Sequence, residues 1–241
     1  MANLKLSRIP LIKNFMPKSK KLAEAYNKID QSKTYALEEA INLLKEVNFV
    51  KFDPSVEIHM NLGIDSRKTD QLVRGTVILP HGTGKKIRLA VFAEGEAAQE
   101  AKAAGADAVG ADDLINEILK NGDAPYEAAI ATPDMMKKLG PIARILGTKG
   151  IMPNPKKDTV TTNVAKAIED IRKGKIDFRN DDTANIHQAV GKLSFDTAKL
   201  VDNTKAFIEA IQKAKPAGTK GTFIKNAVIS SSMGPGVKIS V

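Results

Sequence analysis

Cysteine and tryptophan are absent from this chain of 241 residues. Without cysteine there is no disulfide, no thiolate zinc site and no cysteine nucleophile. Histidine occurs only at His59, His81 and His187, too few for a protein-only histidine metal cage. Aromatic residues make up 5%, so recognition that stacks many unpaired bases on rings is thinly supplied. No apolar run approaches the ~20 residues of a membrane span. Residues 1–21 hold Lys5, Arg8, Lys13, Lys18, Lys20 and Lys21 and no acidic residue. These cations interrupt the unbroken apolar stretch of a secretory leader. The segment reads as a flexible basic arm, with Met16 as an alternative start.

What is present is positive charge: 37 Lys+Arg against 28 Asp+Glu, net +9. Such a balance points to a polyanionic partner or an acidic membrane surface. The charge is uneven. Residues 1–82 carry 13 basic and 9 acidic residues, residues 83–174 carry 14 and 13, and residues 175–241 carry 10 and 6. One basic domain made from both ends, interrupted by a nearly neutral insert, accounts for this split, because chain termini often lie close together.

Periodicity supports that division. Val56, Ile58, Met60, Leu62 and Ile64 alternate with polar residues and glycine, the pattern of a half-buried strand. Val73–Leu79 reads as a second strand, stopped by Pro80-His81-Gly82. A helix is expected over Leu37, Ala40, Ile41 and Leu44, with Thr34 as N-cap and Glu38 and Glu39 in its first turns. From Ile87 to Ala131, short apolar strands alternate with helices, as in a parallel sheet covered on both faces. Thr132-Pro133-Asp134 should open a further helix with proline in its first turn. Gly147–Asp158 reads as a loop before a helix carrying Val164, Ala167, Ile168 and Ile171. After Gly174 the strands alternate again, around Ile176 and Phe178 and around Ala184–Val190. A helix from about Asp196 to Lys213 and strands at Phe223–Ser230 and Val237–Val241 close the chain. The expected fold class is an α+β discontinuous domain, 1–82 with 175–241, interrupted by an α/β domain, 83–174, with a mostly parallel sheet.

Enzyme chemistry finds no support. Gly82-Thr83-Gly84-Lys85-Lys86 resembles the end of a phosphate loop, but Leu79 stands where its first glycine belongs and Lys86 where Ser or Thr belongs. The first strand of the α/β part leads into Ala93-Glu94-Gly95-Glu96 rather than a dinucleotide-binding turn, and Glu94 would repel a pyrophosphate. The histidines lack i,i+4 partners and neighbouring nucleophiles, so His59 and His187 read as ordinary hydrogen-bonded strand residues. The expectation is a non-enzyme with no cofactor and no metal. Gly82, Gly84 and Gly174, at the two crossings between the parts, are candidate hinge positions.

Two stretches suit RNA. In Lys51-Phe52-Asp53-Pro54 a cation beside a ring can hold a phosphate while the ring packs on a sugar or base. The bland alternative puts Phe52 in the core. In Ser230-Ser231-Ser232-Met233-Gly234-Pro235-Gly236, hydroxyls can bond phosphate or 2′-OH groups and glycines let a backbone approach. The alternative is a plain turn between strands. Arg179 and His187, on the alternating strands, complete the RNA-contacting candidates Lys51, Phe52, Ser232, Met233 and Gly234.

Several motifs occur together and in order: Lys51-Phe52-Asp53, Leu62-Gly63-Ile64-Asp65, Val73-Arg74-Gly75-Thr76-Val77, Leu79-Pro80-His81-Gly82, Met152-Pro153-Asn154-Pro155-Lys156, Phe178-Arg179-Asn180-Asp181, Lys220-Gly221-Thr222-Phe223 and Ser232-Met233-Gly234-Pro235. On these the sequence closely resembles the L-one family of bacterial-type ribosomal proteins, which build the side stalk of the large subunit, over essentially residues 16–241. The resemblance implies a discontinuous RNA-binding domain with an inserted α/β domain, and Phe52 and Ser232-Met233-Gly234 on the main RNA surface. Implied partners are large-subunit rRNA within the ribosome, exit-site tRNA whose deacylated form is released, and the family's own operon mRNA, whose translation it represses. No membrane is implied. A cytoplasmic, ribosome-associated location follows, an organellar ribosome being the other setting. The chain departs from the family at Ser232, usually Thr; at Gly147-Thr148-Lys149-Gly150, usually Gly-Pro-Arg-Gly; and at Lys156-Lys157-Asp158, which lacks the usual glycine.

Overall fold

Residues 55, 57, 59 and 61 face outward and residues 56, 58, 60 and 62 are buried, so the first strand divides core from surface along its whole length. The computed structural model describes residues 19–219 and 221–240. The basic segment 1–15, the alternative start Met16 and the expected strand end Val241 lie outside the described residues.

In chain order the elements are α1 Lys20–Asn27, α2 Leu37–Glu46, β1 Ser55–Leu62, β2 Arg74–Ile78, β3 Leu89–Phe92, α3 Glu96–Ala103, β4 Ala108–Gly110, α4 Asp112–Asn121, β5 Ala128–Ala131, α5 Met135–Lys138, α6 Ala143–Thr148, α7 Val164–Arg172, β6 Lys175–Arg179, β7 Asn185–Lys192, α8 Thr197–Lys213, β8 Ile224–Ser231 and β9 Gly236–Lys238. Among them three sheets form. An antiparallel sheet has the order β7-β1-β8-β9, β2 pairs antiparallel with β6, and a parallel sheet has the order β4-β3-β5. The first two sheets combine strands from both chain ends and the third is built wholly from the middle. The fold is therefore α+β at the chain ends, interrupted by an α/β part with a parallel sheet.

One core lies under the antiparallel sheets and takes Ile41 and Leu44 of α2 and Leu200, Phe207 and Ile211 of α8. Phe178 of β6 meets Phe207 edge-on, ring centroids 5.6 Å apart, a favoured aromatic geometry. In the middle part, β3 is buried on both faces. Leu89 and Val91 pack with α3 and α7, while Ala90 and Phe92 pack with α4 and α5, because successive strand residues point to opposite faces.

Four local expectations need correction. Thr34 does not cap α2, which starts after Ala36 without a side-chain cap. Tyr35 instead bridges Ile239 and donates its N–H to Lys238 O at 3.0 Å, so the chain here extends the sheet edge. Pro133 lies before α5, which begins at Met135 after Asp134. Thr132 N–H still donates to Phe92 O at 3.1 Å, and that bond delays the helix. The loop 147–158 is partly ordered: α6 runs through Gly147, and Pro155–Lys157 form a 3-10 turn capped by the Asn154 side chain. Finally, β1 ends at Leu62, just after its register against β8 shifts between Asn61 and Leu62, and Ile64 lies beyond the strand.

Candidate nucleic-acid interface

The outward side chains of the four-stranded sheet fall into rows set by its register. Asn185, Asn61 and Asn226 form one row, and His187, His59, Val228 and Lys238 the next. Ala189, Glu57, Ser230 and Gly236 form the third. This face is polar and open, and the opposite face is core. Asn61 donates to Asn185 at 2.7 Å, His59 and His187 meet at 2.9 Å, and Ser232 Oγ donates to Glu57 at 3.3 Å. His59 and His187 are thus hydrogen-bonded strand residues, as expected.

At one end of this face the two RNA-like stretches come together. Ser232 N–H donates to Ser55 O at 2.9 Å, and Ser55 N–H donates to Ser232 Oγ at 3.2 Å. The Lys51–Pro54 loop is held by its aspartate. Asp53 accepts from the Ser194 N–H at 3.1 Å and from the Ser194 hydroxyl at 2.9 Å. Pro54 is buried and its carbonyl accepts from Leu193 N–H. With its neighbours fixed, Phe52 projects outward and is 55% exposed. The core reading of Phe52 fails on that exposure.

Ser231 to Gly234 make a tight turn in which Gly234 N–H donates to Ser231 O at 2.8 Å. Met233 sits at its third position with φ +66°, the left-handed region, and is 74% exposed. Turns of this kind favour glycine there. A methionine in that conformation stores backbone strain of order 1 kcal/mol and offers a flexible apolar side chain to solvent. Gly234 has a different reason to lack a Cβ from the one expected. An added Cβ would overlap the Oγ of buried Ser231, so its smallness serves the turn before it serves any ligand.

Arg179 is not on this face. It stands directly opposite Arg74 in the β2–β6 pair, beside a cleft shared with Asn154, Lys156 and Lys157. Like charges in register are unfavourable, so this pair suits an anion. Lys157 is engaged with Asp177 at 2.7 Å. The sequence reading does not single out Ser55, Glu57, His59 or Arg74 for contact, although Ser230 lies in the hydroxyl stretch that it does. The alternation of β1 marks 55, 57 and 59 as outward, but only the sheet order brings Ser230 and His187 beside them.

The crossings between the two parts are closely packed. Gly82 has φ +64° and Gly174 φ +98°. Gly84, φ +71°, lies on the Phe195 ring, which an added Cβ would meet at 2.8 Å. Asn203, fully buried on α8, accepts from His81 N–H at 3.0 Å and donates to Gly82 O at 2.9 Å and Val190 O at 2.8 Å. At the C-terminal end of β3, where a doubly wound sheet binds ligands, Glu94 is engaged by Lys138, which also donates to Asp112 at 3.3 Å. Among the described residues no cluster of His, Asp or Glu has the makings of a metal site, and no helix is long and apolar enough to cross a membrane.

The model of the ribosomal protein L1p/L10e family matches residues 44–235. Large ribosomal subunit protein uL1 of Thermosipho melanesiensis is 52% identical over 226 residues, spanning 93% of this chain and 97% of that protein. The proteins of the same description from Thermosipho africanus and Streptococcus gordonii are each 52% identical over the same shares of both chains. A match of that extent means that the chain belongs to the ribosomal protein L1p/L10e family and is a non-enzymatic, ribosome-associated constituent of the large subunit.

Proposed function

We propose that the open face of the four-stranded sheet binds large-subunit rRNA, with Lys51, Phe52, Ser232, Met233 and Gly234 at its edge and His187 within it. The observation that carries this is the joint exposure of Phe52 and Met233, 55% and 74%, on loops tied together through Ser55 and Ser232. Two exposed apolar side chains beside an array of hydroxyls, amides and imidazoles can pack on sugars while polar groups bond phosphates and 2′-OH groups. Glu57 would accept from a base amino group or a 2′-OH rather than meet a phosphate. With so few rings, a folded RNA suits the face better than a stacked single strand. The test is binding of a side-stalk rRNA fragment to Phe52→Ala and Met233→Ala. Each should weaken binding by at least tenfold, about 1.4 kcal/mol; unchanged affinity in both folded variants removes the face from consideration.

The like-charged Arg74–Arg179 pair favours a second anionic contact, and we assign it to exit-site tRNA, whose deacylated form the stalk helps to release. A double Arg74→Ala, Arg179→Ala protein should bind the rRNA fragment normally and lose tRNA contact in assembled ribosomes. Free of rRNA, the same sheet face would bind the operon mRNA and repress its translation. rRNA and mRNA fragments should then compete for one site. Residues 1–82 with 175–241 form the anchoring domain in this reading, and 83–174 an insert turning about Gly82, Gly84 and Gly174.

A further inference from the structure

His59 on β1 and His187 on β7 are direct cross-strand neighbours. Their rings meet Nδ1 to Nδ1 at 2.9 Å, with centroids 5.0 Å apart. A hydrogen bond between two Nδ1 atoms holds a single hydrogen, so one ring donates and the other accepts. His59 Nε2 lies 3.0 Å from Ser230 Oγ, and His187 Nε2 lies 3.6 Å from Asp181. One added proton fits this arrangement. Protonated His187 donates from Nδ1 to His59 and faces Asp181 with its Nε2–H, while His59 donates from Nε2 to Ser230. A second added proton does not fit, because both Nδ1 atoms would then carry hydrogen and two cations would face each other.

We propose that this pair holds at most one added proton in the free protein, and that an RNA phosphate seated over it draws in a second from solvent, with His59 becoming an RNA-contacting residue. The inference rests on the sheet face being the RNA surface. Charges of both signs stand around the pair. Glu57 of β1 lies 3.9 Å from His59 Nε2, Asp181 precedes β7, and Lys238 of β9 stands across Val228. Lys192, farther along β7, donates to Ser55 Oγ at 3.1 Å. Asp181 is already an acceptor for the Thr183 and Asn185 N–H groups. Burial first, and then repulsion from His187, hold His59 below the usual imidazole value, against a smaller upward pull from Glu57. The second proton is therefore off in the free protein at neutral pH. A phosphate supplies the missing counter-charge and an acceptor for both rings.

The sign follows from linkage. The bound state holds more protons, so affinity rises as pH falls and approaches a tenfold gain per pH unit where one full proton is taken up. That window lies around and below the ordinary histidine value near 6.5.

Two measurements on the full chain test this. In the free protein, imidazole ¹H–¹⁵N spectra should show His59 titrating below the ordinary histidine range, and His187→Gln should raise the His59 midpoint. A His59 midpoint in the ordinary histidine range, or one indifferent to His187, overturns the proposal whatever RNA does. For binding, the side-stalk rRNA fragment is titrated from about pH 5.5 to about pH 8 at fixed salt, with wild type, His59→Gln and Phe52→Ala. Wild type should tighten about tenfold toward acid, and His59→Gln should flatten that dependence. If Phe52→Ala weakens binding but wild type and His59→Gln share one pH profile, the interface stands and the proton uptake is wrong. If Phe52→Ala leaves affinity intact, the interface fails and the inference with it.

Discussion

A Cβ placed on Gly174 would stand 2.5 Å from the Cα of Gly82. The chain entering the parallel-sheet part and the chain leaving it thus touch, glycine to glycine. Leu79 N–H also donates to Gly174 O at 3.2 Å.

Gly174→Ala should be costly on two grounds, the overlap with Gly82 backbone and the positive φ of +98°. The left-handed conformation alone costs an L-residue roughly 1–2 kcal/mol. Gly147→Ala is the contrast. Gly147 lies inside α6 with nothing within 4 Å of an added Cβ, and alanine there should gain about 0.8–1 kcal/mol. Urea denaturation of the two variants should move the midpoints in opposite directions.

Asn203 ties α8 to both the first crossing and β7. Removing its side chain leaves His81 N–H and the carbonyls of Gly82 and Val190 without this partner. Only the Val190 bond is fully buried, and water can partly satisfy the other two groups. At about 1–3 kcal/mol for a fully buried group and less for the others, Asn203→Ala should destabilise by about 2–4 kcal/mol. Hydrogen exchange should quicken first at the His81 amide. Full protection there in the folded variant would show that Asn203 is not what pins the crossing.

Met233→Gly separates strain from contact. Met233 is 74% exposed, so no core packing is lost, and glycine accepts φ +66° without strain. Thermal stability should hold or rise, by up to about 1 kcal/mol, while affinity for the rRNA fragment falls. A loss of stability would place Met233 in the packing of the turn instead.

Two ion pairs join the 3-10 turn of the middle part to β6: Lys157 with Asp177 at 2.7 Å, and Asp158 with Lys175 at 2.9 Å. The Lys157–Asp177 pair is open to solvent, and such pairs are worth only ~0–1 kcal/mol and weaken with salt; the pair of the largely covered Lys175 is screened less. Raising salt, or the double change Lys157→Gln, Lys175→Gln, should therefore widen the distribution of distances between fluorophores on α4 and α8. One narrow, salt-independent distance would show that packing, not charge, holds the turn.

Regular elements were legible because their signals are local. The alternation at Val56–Leu62 gave β1, and Asn121-Gly122 ended α4, with Gly122 at φ +64° as its left-handed cap. Phe52 was undecided in the sequence, since a ring between Lys and Asp fits core or surface. Its exposure depends on Asp53 clamping Ser194, a contact between distant segments. Arg179 is an RNA-contacting candidate from the sequence, but its neighbour Arg74 is set by the β2–β6 register. The His59–His187 contact likewise depends on β7 lying beside β1. Asp158 adopts φ +53° in Lys156-Lys157-Asp158, the stretch where the resemblance leads one to expect a glycine. The missing glycine was visible in the sequence, and the partner Lys175 was not.

The meeting of Gly82 with Gly174 has a mechanical consequence. A body joined through one strand is on a tether and can wander in any direction. A body joined through two strands that touch at a point is on an axle. It can turn, yet hardly slide, because sliding would drag one crossing past the other. Rotation of a few degrees at the glycines would become displacement in proportion to distance from them. On the reading proposed above, such a bearing would let the rRNA-holding base keep its grip while the far part swings.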